Sequence, residues 1–153
     1  MQLQVHYRSR SRELIAYSNE AFYSGSLSIP VRHPEAEVDK LKPIEVFHIG
    51  GLYTERTNQE EARRVVANLE IMWLTNSEPP TTGVVTFNSN QADLIEELLE
   101  ERAEESAAFA RVYRREANRE IGGEDVSFFV KNVENVQGYE RDHILFSTTF
   151  GRN

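Results

Sequence analysis

The apolar residues of this chain switch repeatedly between helical and strand spacing, and glycine or proline marks the switches. Leu14, Ile15, Tyr17, Ser18, Phe22 and Tyr23 recur at about 3.6 residues. Ser9 or Ser11 can cap their start and Gly25 can supply a left-handed stop, which predicts a helix over residues 9–24. Pro30, Pro34 and Pro43 predict a loop over residues 30–43, and residues 44–49 alternate as a strand closed by Gly50 and Gly51. Asn58 can cap the next helix with Glu61 as its reciprocal partner, and Ala62, Val65, Val66, Leu69, Met72 and Trp73 form its buried face. After the break at Pro79 and Pro80, residues 84–87 predict a second strand. Leu94, Ile95, Leu98 and Leu99 stripe a long helix over residues 90–118, with room for a break, and Gly122 and Gly123 end it. Residues 126–130 and 143–148 predict two more strands. The order helix, strand, helix, strand, helix, strand, strand predicts an α/β layer with a mostly parallel sheet and right-handed crossovers. Four strands make a thin sheet, and the chain stops directly after the last of them. It therefore reads as a piece of a longer polypeptide.

Composition narrows the setting. At 153 residues with a 39% apolar share, one domain or most of one can bury roughly two thirds of its unfolded surface. There is no cysteine, hence no disulfide frame and no thiolate metal site. No apolar run approaches the ~20 residues that cross a bilayer, and the charged first twenty residues do not form a signal peptide. A cytoplasmic setting is expected. The net charge of −8 argues against an all-over nucleic-acid coat, which needs Lys and Arg to displace counterions. Arg8, Arg10 and Arg12 nevertheless cluster at the start, while acid concentrates between Glu96 and Glu105 as a solvated helix face.

Three constellations could carry chemistry. In His6-Tyr7-Arg8-Ser9-Arg10, tyrosine offers a rigid π-face and arginine a fork of donors suited to phosphate; the same residues also suit the start of any helix with solvated arginines. In Gln137-Gly138-Tyr139-Glu140, a carboxylate can accept from ribose hydroxyls and glycine permits close backbone approach, yet a plain turn before a strand looks alike. In Thr86-Phe87-Asn88-Ser89-Asn90-Gln91, hydroxyls, amides and the free N–H groups of a helix start can hold phosphate, or Ser89 or Asn90 can simply cap. His6, His33, His48 and His143 lack metal-ligand spacing. Neither a Gly-x-Ser-x-Gly nucleophile nor a Gly-x-x-x-x-Gly-Lys-Ser/Thr phosphate loop is present.

Taken in order, these motifs resemble the second RecA-like domain of a superfamily 1 helicase. His6-Tyr7-Arg8-Ser9-Arg10, with Leu14 to Asn19 and Phe22 to Leu27 behind it, is similar to that family's Tyr-Arg motif. Gly83 to Asn88, then Gln91, resembles its strand motif on the nucleic-acid track. Val136-Gln137-Gly138-Tyr139-Glu140-Arg141-Asp142, then Ile144, Leu145 and Ser147, resembles its Gln-Gly-x-Glu motif. Asn58 to Ala62 looks like the start of a helix between the first two. The nearest likeness is to the 5′→3′ branch, of large bacterial type.

The resemblance implies a RecA-like three-layer fold, a mostly parallel sheet flanked by helices, with residues 1–153 as part of the second motor domain. It implies that Tyr7 stacks on adenine, that Arg8 is an arginine finger on the γ-phosphate, that Glu140 holds the ribose and that Gly138 lets backbone approach the phosphates. Thr86 and Asn88 would contact nucleic acid, and Asn135 or Gln137 would couple the two sites. The implied partners are single-stranded DNA or RNA and the first RecA-like domain of the parent, with no membrane. ATP and Mg²⁺ would be used by the parent and bound by this piece alone not at all. Two departures stand out. Tyr139 occupies a place where the family usually has an acidic or small residue. The phosphate loop, the Asp-Glu motif for Mg²⁺ and the last arginine motif are missing. Two other readings remain: a RecA-like binding or regulatory module of a parent without hydrolysis, and a flavodoxin-like or receiver-like domain with no nucleic-acid role, against which Gly50 to Thr54 argues at the first strand's end.

Overall fold

The computed structural model describes residues 12–26 and 44–151. The chain divides into two compact units, residues 1–48 and 49–153. In the first, helix α1 (Arg12–Tyr23) ends where the sequence predicts. Gly25 adopts φ +71° and its N–H donates to the Asn19 carbonyl at 3.0 Å, closing the last turn. Tyr17 and Phe22, part of the apolar series that predicts this helix, are exposed. The start of this helix and the predicted loop at 30–43 lie outside the described residues. Residues 44–49, expected as a strand, are irregular, and Ile44, Val46 and Phe47 are exposed. Alternation alone does not make a strand, because a ladder needs a neighbour to receive its N–H and C=O groups.

The second unit contains α2 (Gln59–Thr75), β1 (Thr82–Thr86), α3 (Ser89–Glu105), α4 (Ala107–Ala117), β2 (Glu120–Ile121), β3 (Glu124–Asp125), β4 (Phe129–Asn132) and β5 (His143–Ser147). A three-stranded parallel sheet has the order β4-β1-β5, with Val84 opposite both Val130 and Leu145. These three point to one face and join the core that Leu69 and Trp73 of α2, Ile95 and Leu99 of α3, and Phe109 of α4 build. Trp73 stacks near Phe109 and Tyr113 and meets Phe128 edge-on at 4.9 Å. A parallel sheet flanked by helices is the mixed α/β layering expected of a RecA-like fold.

The opposite face presents Gly83, Phe129 and Ile144 in one row, then Val85, Lys131 and Phe146 in the next. Gly83 is required by space rather than by dihedral. A Cβ there would lie 2.3 Å from the Phe129 ring, so the ring occupies the place of the missing side chain.

Two expectations shift in detail. The long helix breaks at Ser106, whose hydroxyl accepts from Phe109 N–H while its own N–H donates to Arg102 O, so one residue caps both α3 and α4. Gly122 and Gly123 do not end a helix. At φ +60° and +82° they turn the β2–β3 hairpin, as paired left-handed residues do in tight hairpins. The following strand accordingly begins at Phe129 rather than at residue 126. Glu116, buried near the end of α4, is held by Arg115 at 2.8 Å and Arg119 at 2.9 Å, and Arg119 also reaches Pro79 O. The Arg102 fork beside Glu70, at 2.9 and 2.7 Å, ties α3 to α2 and holds the Glu70 carboxyl below its ordinary range.

The carboxyl ends of the strands are fastened by one buried amide. Gln91 in the first turn of α3 accepts from Asn58 N–H at 2.8 Å and donates to Asn58 O and to Ser147 Oγ, each at 3.1 Å. Asn58 caps α2 as predicted, accepting from Glu61 N–H. The reciprocal bond differs. Gln91 receives the Asn58 N–H, and the Glu61 carboxylate accepts instead from Thr149 N–H at 3.1 Å. Gly51 and Gly151 close over this cap. A Cβ on Gly51 would lie 1.9 Å from Asn58 Oδ1, and one on Gly151 would lie 2.2 Å from Gly51 O.

Truncating Gln91 to alanine strands the buried Asn58 N–H and opens a cavity. The expected cost is about 3 kcal/mol in urea unfolding. Gly83→Ala forces the Phe129 ring aside and is expected to cost about 2 kcal/mol in the same measurement.

Candidate functional site

A parallel sheet has two chemically different edges. At the carboxyl edge Thr86 stands between Asn132 and Ser147 in register. Such edges commonly bind ligands because the loops leaving them are free to vary. Thr86 is 0% exposed and its hydroxyl donates to Asn88 O at 2.7 Å. It therefore braces the turn into α3, and contact with a phosphate would require that hydroxyl to be released. Asn88 is half-buried and caps α3 by accepting from Gln91 N–H at 2.9 Å. The caps proposed for Ser89 and Asn90 thus fall one and two residues too late. The first exposed positions of the helix are Ser89 and Asn90 themselves.

Asn132 ends β4 and accepts from Asn135 N–H, shaping a single 3₁₀ turn (Val133–Asn135) beside this edge. Asn135 is therefore on the carboxyl side. Glu140 is not. Because β5 runs parallel to β4, the connection between them must return to the amino edge before β5 begins. Residues 136–142 make that return. Arg141 donates from Nε and Nη2 to Ser127 O at 2.9 and 2.7 Å, just before β4. Asp142 Oδ2 accepts from Thr81 Oγ1 at 2.9 Å, and Asp142 N–H donates back to that hydroxyl, just before β1 and β5. The Gln-Gly-Tyr-Glu stretch, a turn before a strand in the sequence, therefore leads from the carboxyl edge to the amino edge, where β5 starts. Along β1 the two edges are about 13 Å apart at the ~3.3 Å rise of a parallel strand.

Gln137 and Gly138 are exposed in the middle of the return. Gly138 has φ +86° with open space where a Cβ would be, so its glycine is required by backbone conformation. Tyr139 lies against Phe129 at 5.1 Å between centroids, and Lys131 Nζ stands 4.8 Å over the Tyr139 ring. Arg141 in turn covers the Phe129 ring at 5.3 Å. The large residue at position 139 is thus accommodated on the sheet face that carries Phe129 and Lys131. Across β4, burial and the nearby Asp93 raise the Glu96 carboxyl above its ordinary range, while Lys131 pulls it the other way.

The structure thus brings Thr86, Asn88 and Asn135 to one edge and sets Glu140 toward the other, with Gln137 and Gly138 on the path between. Tyr7 and Arg8 lie outside the described residues. Sequence reasoning missed Phe129 and Lys131 as supports of the turn, and it placed Gln91 within a stretch that can hold phosphate without seeing that its amide is a buried structural clasp. Gln91 stands three residues after the capping Asn88, and its partners Asn58 and Ser147 are far away in sequence. No group of three or more His, Asp or Glu side chains among the described residues is disposed to hold a metal ion, and no described helix is long and apolar enough to cross a membrane.

The family model described as AAA domain matches residues 1–152. Among curated relatives, the uncharacterized ATP-dependent helicase MG140 of Mycoplasma genitalium is 39% identical over 151 residues, which is 99% of this chain and 13% of that protein. Its homolog in Mycoplasma pneumoniae is 38% identical over 151 residues, again 99% of this chain and 13% of the relative. The chain spans about 13% of the length of these relatives. With a family match running almost from end to end, the chain belongs to the AAA domain family.

Proposed function

We propose that this chain is part of the second RecA-like domain of a superfamily 1, ATP-dependent helicase that translocates on single-stranded DNA or RNA in the cytoplasm. The observation that carries this reading is the end-to-end similarity to relatives named ATP-dependent helicases. It is supported by a parallel sheet whose two edges receive the two sets of motif residues. On this reading ATP sits in a cleft between the two RecA-like domains of the parent. Tyr7 stacks on the adenine and Arg8 approaches the γ-phosphate, where a guanidinium neutralises charge as the phosphoryl group departs. Such a finger contributes ~10³–10⁵ in rate. Glu140 accepts from ribose hydroxyls, and Gly138 brings backbone N–H groups near the phosphates. The Mg²⁺ that accompanies ATP is held by residues outside this chain.

Nucleic acid lies along the carboxyl edge. There Thr86 acts through the Asn88 turn, which presents the start of α3 to a backbone phosphate. Asn135 touches the strand from the β4 side, and Gln137 relays between strand and nucleotide. ATP favours the closed cleft by binding it more tightly than the open one, and hydrolysis removes that preference. Alternating closure and opening moves the strand across this edge.

Arg8→Ala in the full-length parent is expected to lower nucleic-acid-stimulated ATP turnover by at least a hundredfold while ATP affinity changes less than tenfold. Steady-state kinetics with a fluorescent nucleotide titration reads both, and unchanged turnover removes Arg8 from the mechanism. Full affinity with no turnover in the unaltered parent would favour a regulatory module instead. The isolated chain is expected to show no ATPase and only weak single-strand binding that falls steeply with salt. Tight nucleotide binding by it alone would contradict a site divided between two domains.

A further inference from the structure

A connection between parallel strands usually runs through a helix that carries its own packing surface. The connection from β4 to β5 has only the 3₁₀ turn at Val133–Asn135 and then a tight turn over residues 136–139, in which Tyr139 N–H donates to Val136 O at 3.1 Å. Its two ends are fastened by hydrogen bonds, at Asn132 to Asn135 and at Arg141 to Ser127. Its middle includes the exposed Gln137 and the left-handed Gly138. Tyr139 packs this middle against the sheet, on Phe129 and under Lys131. The support is itself rigid. Phe129 is fixed over Gly83, where there is no room for a side chain, and Arg141 caps its ring. Lysine, tyrosine, phenylalanine and arginine thus alternate along the open face, each aromatic ring meeting a cation and the other ring, a favourable arrangement for both contacts.

From this stack we infer that Tyr139 is a positioning residue for nucleotide. Through its ring it fixes the peptide between Gly138 and Glu140, so that the backbone of the one and the carboxylate of the other are held ready before ligand arrives. The inference rests on the nucleotide role proposed for Gly138 and Glu140, and it adds a residue that makes no ligand contact of its own. A preformed turn binds without an ordering cost, so loosening it weakens ATP binding and leaves the phosphoryl-transfer step intact. The ring carries the effect and the hydroxyl does not, since the contacts made are with its π-face.

The test is steady-state ATPase of the full-length parent with saturating single-stranded nucleic acid. Tyr139→Ala is expected to raise KM for ATP about tenfold with kcat within twofold of the wild type. Tyr139→Phe is expected to restore KM to within twofold. Lys131→Met keeps both rings, and a two- to threefold rise in KM is expected; it carries the test if Tyr139→Ala does not fold. Unchanged KM in both Tyr139→Ala and Lys131→Met overturns the inference, as does a loss confined to kcat or a failure of Tyr139→Phe to rescue. Glu140→Ala separates the two levels. If it raises KM while Tyr139→Ala does not, the positioning role fails and the nucleotide reading stands. If it leaves KM untouched, the nucleotide reading of the turn fails with it.

Discussion

The Gln91 side chain has no exposed surface and joins three segments that are far apart in sequence. It matches the Asn58 peptide with a donor and an acceptor and gives its second N–H to Ser147. Amides in this position are costly to bury and more costly to leave unpaired, so the start of α3, the cap of α2 and the end of β5 hold together or separate together. The arrangement also sets the close passage of Gly51 and Gly151 over Asn58. Thr149, buried at φ +70°, takes a conformation that a β-branched residue adopts rarely. Its N–H on the Glu61 carboxylate fastens it there. Two buried polar atoms beside this clasp, Asn58 Nδ2 and Thr149 Oγ1, have no protein partner among the described residues. The carboxyl edge is therefore polar and closely constrained within the sheet interior.

The two faces of the sheet are built by different means. One is covered by three helices with an aliphatic and aromatic core, held at its margin by Arg102 on Glu70 and by the arginines around Glu116. Among the described residues the other carries the return from β4 to β5, with Phe146 63% exposed. Hydrophobic burial is non-directional and tolerates sliding. The hydrogen bonds and ring contacts along the return specify position. A turn that must present one carboxylate and one backbone segment to a ligand is better served by the second kind of attachment.

What was legible in the sequence follows from the range of the interactions involved. The helix starting at Asn58 was readable because its cap and apolar stripe are local, and the strands at β1 and β5 because short β-branched or aromatic runs stand between breakers. The break at Ser106 was open in the sequence, since a serine can sit inside or between helices and only the packing of Phe109 beside Trp73 decides it. Residues 44–49 carry strand alternation without a ladder, and Gly122-Gly123 suits both a helix stop and a hairpin. The residue types at the candidate site were readable and their placement was not. Residues 133–142 were readable as a turn before a strand, but the contacts that fasten the end of this stretch reach Ser127 and Thr81, which lie outside it in sequence.

The two edges of the sheet are joined by two routes. Strand β1 and the return connection span the same two edges, one fully buried and the other tied at Ser127, Thr81 and Asn132. The separation of Asn88 from Glu140 therefore follows from the rise of the few strand residues that lie between the two edges.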